Sequence, residues 1–468
     1  MPNPYESLLA RAHAHALDYL DRLPDRHVDA TATRDELLAA LRAQLPHVGE
    51  PDEAVIDLLA SQVPHGAVAC NSPRYFGFVV GGATPVSLAA DWLVSTWDQN
   101  AGIYVLSPLA AVVEEVAAEW LLDLFDLPRG SGVGFVTGCQ MANLTCLAAA
   151  RHGVLQRVGW DVETDGLQGA PVINVVASAE SHITIDVALR YLGMGTRCVR
   201  RVESDGQGRM RADALRGLLA TLDGPTIVCA QAGNVNTGAF DPLREIGEAC
   251  RARGAWLHID GAFGLWARAS ADATLRALAD GVELADSWAT DAHKWLNVPY
   301  DSGVAIVRDR ETHRAAMTTT AAYLVQTRGA ERDAVDWVPD FSRRARGVPV
   351  YANLRALGRV GIADLVDRLC ARARQMADVL ASEPGVQVLA DVVLNQVLVR
   401  FGDDDEATRR VVAAVQAEGT CWLGGTTWQG RAAMRISVSN WATTEVDAAR
   451  SAEAIIRAWR AGQAVRGR

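Results

Sequence analysis

Between residues 73 and 310, helical patterns alternate with short β-rich runs, and this alternation constrains the fold more than any other feature of the chain. The runs are GVGFVTG, PVINVVAS, TIVCAQAG, AWLHIDGAFG and SGVAIVRD. Strands alternating with helices imply an α/β fold with a mostly parallel central sheet, which binds ligands outside the carboxyl ends of its strands. Before this region, YESLLARAHAHALDYL and AVIDLLASQV space apolar residues at three and four positions, as helices do. Those helices are too few to bury their own apolar faces, so they need another part of the protein or a second subunit. After it, VQVLADVVLNQVLVRF, EATRRVVAAVQAEG, AAMRISVSN and EVDAARSAEAIIRAW alternate again, which suits a small α+β domain. The expected division is an N-terminal helical segment (1–72), a large α/β domain (73–350) and a small C-terminal domain (351–468). The stretch 318–345 is less regular and reads as a mobile loop, with a helix starting near 350.

A chain of 468 residues with 49% hydrophobic and 22% charged residues has the make-up of a soluble globular protein with a large core. A net charge of −11 offers no basic excess for nucleic acid or anionic membranes. The opening MPNPYESLLARAHAHALDYL lacks a secretory pattern, and no apolar run reaches the length of a membrane span. The eight cysteines are scattered without a CxxC pair, as in a cytoplasmic protein, and suggest neither a disulfide framework nor a metal site.

Of the 45 basic residues, only Lys294 is a lysine. Compositional bias explains the arginines but not the one position that escaped it. Solubility and surface ion pairs accept arginine; imine chemistry does not, because a guanidinium stays protonated while an amine can lose its proton and attack a carbonyl. Lys294 stands in ADSWATDAHKWLNVPYDSG, after a short apolar run. Asp260, at the end of the strand in AWLHIDGAFG, would suit a protonated pyridine nitrogen, although strand-end aspartates also cap turns. In GFVTGCQMANLTCLAAAR, a strand, a glycine turn and a helix start with Cys139, Gln140 and Asn143 in its first turn offer backbone amides to a phosphate. His182, in ASAESHITIDVALRYLGMG, follows another strand and could stack on a flat ring or serve only as a helix-start residue. The order of these elements, each near a different strand end, is more specific than any one of them.

With those residues in place, the chain resembles the group II PLP-dependent amino-acid decarboxylases, the fold-type I family of aromatic-L-amino-acid and glutamate decarboxylases. The resemblance runs from NSPRYFGF to MRISVSN. DAHKW is similar to the family's Asn/Asp-Pro-His-Lys motif, HIDGAFG to its His-Val-Asp-Ala-Ala-Tyr type, and TGCQMAN to its Ser-Gly-Gly-Thr-Glu-Ala-Asn turn. TGAFDPL also has the family's look. The resemblance implies pyridoxal 5'-phosphate (PLP) as cofactor, with Lys294 as the Schiff-base lysine and His293 beside it. It further implies Asp260 at the pyridinium nitrogen, Ala262 under the ring, His182 over it, and Cys139 and Gln140 at the phosphate. Tyr323, at the family's spacing after the lysine, would protonate the carbanion, and Arg435 in MRISVSN would bind a carboxylate. Three positions depart from the family: an alanine replaces proline in DAHK, Met141 takes an acidic or serine position of the phosphate turn, and Val235 replaces a threonine that contacts the cofactor. Asn234 or Asn236 would then supply that last contact.

RYFGFVVGGATP (74–85) and STWDQNAGIY (95–104) match segments that line the substrate pocket in relatives. Phe78 and Trp97 suit an aromatic side chain, whereas Gln99, Asn100 and Arg435 suit a carboxylate. The expectation is decarboxylation of an aromatic or bulky L-amino acid, with an acidic one as the alternative. Aldehyde-forming oxidative deamination, transamination or β-elimination on the same fold, and a non-catalytic binding protein are the competing readings. A homodimer with exchanged N-terminal helices is implied by the resemblance, and neither nucleic acid, membrane nor metal is expected.

Overall fold

The computed structural model describes residues 3–318 and 331–466. Tyr323 falls outside the described residues. Seven strands form the central sheet: β1 (Gly132–Val136), β2 (Asn174–Ser178), β3 (Val199–Val202), β4 (Thr226–Gln231), β5 (Trp256–Asp260), β6 (Ser287–Asp291) and β7 (Gly303–Val307). Their order is β1-β7-β6-β5-β4-β2-β3. Only β7 runs against its neighbours, so β1, β2, β4, β5 and β6 all end at one edge. This is the mostly parallel α/β sheet expected from the alternation. Strands β1, β4, β5, β6 and β7 are buried along their whole length, which is why all of these but β6 read as largely apolar runs and not as alternating ones. Strand β3 escaped sequence reading because it lies at the sheet edge and turns Arg200 and Arg201 outward. Outward charges there also discourage pairing with another chain.

The helix Cys139–Gln156 packs across the sheet and is buried on nearly all sides, as its alanine-rich, apolar-all-round sequence requires. Gly303 opens β7 against the turn that precedes this helix; a Cβ there would stand 2.5 Å from the backbone of Gly138. The close approach sets the helix start directly over the strand ends.

A second, antiparallel sheet has the order β10-β11-β9-β8, from β8 (Val386–Val388), β9 (Gln396–Phe401), β10 (Gly424–Trp428) and β11 (Arg431–Ser437). Helices Asp405–Glu418 and Glu445–Arg466 cover it. The long helix Gly347–Ala381 contributes Val350, Leu354 and Ile362 to the core of the large sheet, and Leu365, Leu369 and Met376 to that of the small one. It breaks at Gly358, whose φ of 59° lies in the left-handed region that favours glycine.

The N-terminal helices Glu6–Arg22, Arg34–Leu41 and Asp52–Gly66 bury no residue completely. Leu9, Leu17 and Leu59 stay exposed at 56%, 46% and 55%. The expected mobile loop needs correction over its described part. Residues 331–345 are anchored, because Arg343 forms a 2.6 Å ion pair with the buried Glu114 and Arg332 lies 3.9 Å from the same carboxylate. Both arginines also donate to carbonyls of β1, at Phe135 and Val133.

Candidate active site

Strand β6 ends at Asp291, and one helical turn, Ala292–Trp295, carries Lys294. Lys294 Nζ lies 2.9 Å from Asp291 Oδ2, and the lysine side chain is only 17% exposed. Burial opposes its charge, but Asp291, with Cys139 and Asp260 behind it, more than offsets this, and its pKa is raised. Asp291 therefore holds and orients the Lys294 ammonium, whose proton must leave before the amine can act as a nucleophile.

The same carboxylate accepts a 2.6 Å hydrogen bond from the backbone amide of Cys139, the first residue of the helix. Among the described residues the next two amides, of Gln140 and Met141, have no protein partner, which leaves them available to an anion at the helix start. The Cys139 thiol faces Asp260 Oδ1 at 3.6 Å, and burial first, then Asp260 and Asp291, push its pKa up. The Cys139 amide and thiol are thus both engaged by carboxylates, while the Gln140 side chain is exposed at the rim.

Asp260 terminates β5 and is 5% exposed. Three donors fix it: the amide of Ala262 at 3.1 Å and the Cys139 thiol on Oδ1, and Asn143 Nδ2 at 3.2 Å on Oδ2. The carbonyl of Ala262, two residues on, also accepts the Asp291 amide, tying the ends of β5 and β6 together. His182 caps the helix Ile183–Tyr191, its Nδ1 lying 2.8 Å from Thr184 Oγ1. Burial lowers its pKa; Asp260, Lys294, Arg435 and Asp291 are the charges that act on it. His293 packs its ring 4.3 Å from that of Tyr300 and is likewise pushed down by burial.

Arg435 reaches in from β11 and hydrogen-bonds the carbonyl of Val235 at 3.2 Å. Among the described residues it has no carboxylate partner, and burial depresses its pKa. A half-buried guanidinium without an acid is a ready receptor for a carboxylate ligand. Asn234 has a different job from the one expected: its Oδ1 accepts the amides of Asn236 and Thr237 and its Nδ2 donates to Glu180, so its side chain shapes the turn after β4.

The substrate segments divide. Residues 75–84 pass against the Lys294 turn: a Cβ on Gly81 would meet the Lys294 carbonyl at 2.2 Å. Phe78, held at a φ of 52°, is 65% exposed and stacks 5.5 Å from Trp422, which stacks in turn on Tyr75. Trp97 and Gln99 instead line a separate cavity of about 310 Å³ with Leu109 and Val348. Asn100 folds back onto the amides of Gly102 and Arg343. Within one chain, then, Trp97, Gln99 and Asn100 do not join the Lys294 cluster. Sequence reading missed Asp291, whose i,i+3 spacing to Lys294 on one turn was the available clue. It also missed His258, two residues before Asp260 and so on the same face of β5.

The donor set fits an aldehyde-bearing, anionic heteroaromatic cofactor: one buried amine, one oriented carboxylate, one imidazole and open amides at a helix start. Residues 35–401 match the pyridoxal-dependent decarboxylase conserved domain. The acidic amino acid decarboxylase GADL1 of Mus musculus is 30% identical over 365 residues, covering 76% of this chain and 65% of the relative. The aromatic-L-amino-acid decarboxylase of Bacillus atrophaeus is 25% identical over 443 residues, covering 92% and 90%. The crystal structure of Oryza sativa TDC with PLP and tryptamine superimposes with a TM-score of 0.90 over 98% of this chain and 99% of that one, at 23% identity, a likeness of fold alone. The chain belongs to the pyridoxal-dependent decarboxylase family, whose cofactor is PLP and whose members are amino-acid carboxy-lyases.

Proposed function

We propose that this chain uses PLP bound through Lys294 to decarboxylate an L-amino acid to the amine and carbon dioxide. The observation that carries this reading is the sole lysine, buried on the turn after β6 with Asp291 at its Nζ and Asp260 across the same strand edge. PLP, when bound, supplies the electron sink for the bond that breaks at the α-carbon. Lys294 would hold the cofactor through Nζ, and Asp291, 2.9 Å away, would hold and orient that nitrogen. Asp260, held by three donors, stays in place to keep a proton on the ring nitrogen. His182 and Ala262 would contact the ring, and the open first-turn amides with Gln140 would hold the phosphate. Tyr323, on the family resemblance, protonates the α-carbon.

Phe78, stacked on Trp422 and three residues from the Gly81 contact with Lys294, supports an aromatic or bulky side chain. Arg435 favours a second reading, an acidic substrate, because its guanidinium lacks an acid of its own. Measuring carbon dioxide and amine from each L-amino acid separates the two. Arg435→Met should abolish turnover of an acidic substrate and leave binding of an aromatic side chain largely intact. Stoichiometric hydrogen peroxide would establish the aldehyde-forming reaction instead, and accumulation of the aminated cofactor would establish transamination. An imine absorbance unaffected by Lys294→Ala would remove the catalytic reading.

A homodimer is supported by the exposed Leu9, Leu17 and Leu59 of the N-terminal helices and by the exposed Trp92, Leu93 and Leu109. A cytoplasmic location is supported by eight unpaired cysteines, and no described helix is long and apolar enough to cross a membrane. A division into segments 1–72, 73–350 and 351–468 is supported by the separation of the seven-stranded sheet from the four-stranded one.

A further inference from the structure

A buried line of hydrogen bonds leads away from Asp260 into the core, and its two ends fix the direction of every proton in it. Trp256, His258 and Asp260 alternate along β5 and share one face. Trp256 Nε1 lies 2.9 Å from Ser287 Oγ, and Ser287 Oγ lies 3.0 Å from His258 Nδ1. His258 Nε2 lies 2.9 Å from Asn143 Oδ1, and Asn143 Nδ2 lies 3.2 Å from Asp260 Oδ2 and 3.1 Å from Thr184 Oγ1. The line then ends at His182 Nδ1, 2.8 Å from Thr184 Oγ1. Asn143, His258 and Ser287 are completely buried, and Trp256 nearly so.

An indole can only donate and a carboxylate can only accept. Asn143 must therefore turn its amide nitrogen to Asp260 and its oxygen to His258. His258 must carry its proton on Nε2, and Ser287 must donate to Nδ1 while accepting from Trp256. The second hydrogen of the Asn143 amide falls on Thr184 Oγ1, which passes its own hydrogen to His182 Nδ1. Nδ1 is also the acceptor for the Thr184 amide at 3.4 Å, so His182 is left with its proton on Nε2. These protons follow from the partners and were placed by that logic.

We propose that Asn143 is a positioning residue that, from one amide group, both fixes the acceptor oxygen of Asp260 and sets the tautomer of His182. The inference rests on the reading of Asp260 and His182 as the cofactor's neighbours. His258 and Ser287 orient Asn143 in turn. The bonds from Trp256 through Ser287, His258 and Asn143 all donate toward Asp260, and such a run polarises cooperatively and favours the charged form of that acid. Burial drives His258 down to about 4 and lowers His182, in accord with two neutral rings. The groups acting on His182 are Asp260, Lys294, Arg435 and Asp291, and Asp260 acts on His258.

The test is nitrogen NMR of the full-length chain labelled with 15N-histidine, first without PLP and then with it. Both His182 and His258 should show a proton on Nε2 and a bare Nδ1 near neutral pH. Thr184→Val should release His182 into a mixture of tautomers and leave His258 as it was, and Thr184→Ser should restore the single form. Asn143→Ala should disturb both rings and weaken PLP binding by roughly tenfold or more, the size expected for one hydrogen bond to a charged group. A proton on Nδ1 of either ring would overturn the proposal. So would a Thr184→Val protein that loses thermal stability while His182 keeps its tautomer, since that is a packing role alone. Failure of the cofactor reading is seen separately, as an imine absorbance that survives Lys294→Ala, whereas the tautomers are measured without PLP.

Discussion

Replacing Asp260 by asparagine keeps its shape and removes its charge, and the structure predicts two separable losses. The side chain now receives bonds on both oxygens, from Ala262 and Cys139 on one and from Asn143 on the other. Asparagine has one oxygen, so in either orientation its amino group faces a donor. One buried donor is left without an acceptor, at a cost of about 1–3 kcal/mol. Cofactor-free protein should therefore unfold at a lower urea concentration with an unchanged slope. The second loss is electrostatic. A unit charge about 4 Å from a cationic ring nitrogen is worth about 4 kcal/mol at an effective dielectric of roughly 20. Turnover should fall by roughly a thousandfold at saturating PLP, as that difference converts into rate. Urea unfolding followed by absorbance or fluorescence, and carbon dioxide release for kcat, measure the two independently. An Asp260→Asn protein with the parent's urea midpoint would refute the hydrogen-bond reasoning, and one with kcat within about tenfold of the parent would refute the electrostatic reasoning.

Glu114 is the shared acid of two buried arginines, so Glu114→Ala should destabilise the protein by about 3–5 kcal/mol in chemical denaturation; a change below about 1 kcal/mol would show that the arginines find other partners. Burial pushes His258 and His313 down to about 4, so each is neutral when folded and protonated when unfolded below pH 6.5. Unfolding takes up those protons, and stability should rise with pH across this window and fall on acidification by about 1.4 kcal/mol per pH unit for each ring; a flat profile of urea midpoints would contradict it. Gly81→Ala drives a methyl group into the carbonyls of Lys294 and His293, at 2.2 and 2.5 Å before relaxation, and should lower PLP affinity measured by fluorescence titration, whereas unaltered affinity would show the 292–295 turn to be free to move.

The sheet was legible because its inner strands are continuous apolar runs, and TIVCAQ and WLHID could be little else. Strand β3 was not, since VRRV carries an edge strand's charges, nor was β10, whose GGTTW lacks a periodic signal. Lys294 stood out by composition, and Asp260 and His182 by their places after strands. The partners that orient them come from far along the chain: Asn143 and His258 meet across 115 residues, a contact that only the parallel crossover brings about. Within one chain, Trp97, Gln99 and Asn100 lie apart from the Lys294 cluster for a local reason. The chain turns at Asp98, with a φ of 47°, and directs that segment to another surface. The loop 331–345 seemed irregular because its order comes from two arginines meeting one distant buried glutamate, which no local pattern records.

One measurement bears most directly on the role of Lys294. PLP-loaded protein would be reduced with borohydride, digested and mapped by mass spectrometry. The pyridoxyl phosphate group should be found on the peptide ADSWATDAHKWLNVPYDSG, at Lys294, with no adduct in Lys294→Ala. A stable adduct on the N-terminal amine alone, or turnover that persists in Lys294→Ala, would contradict it.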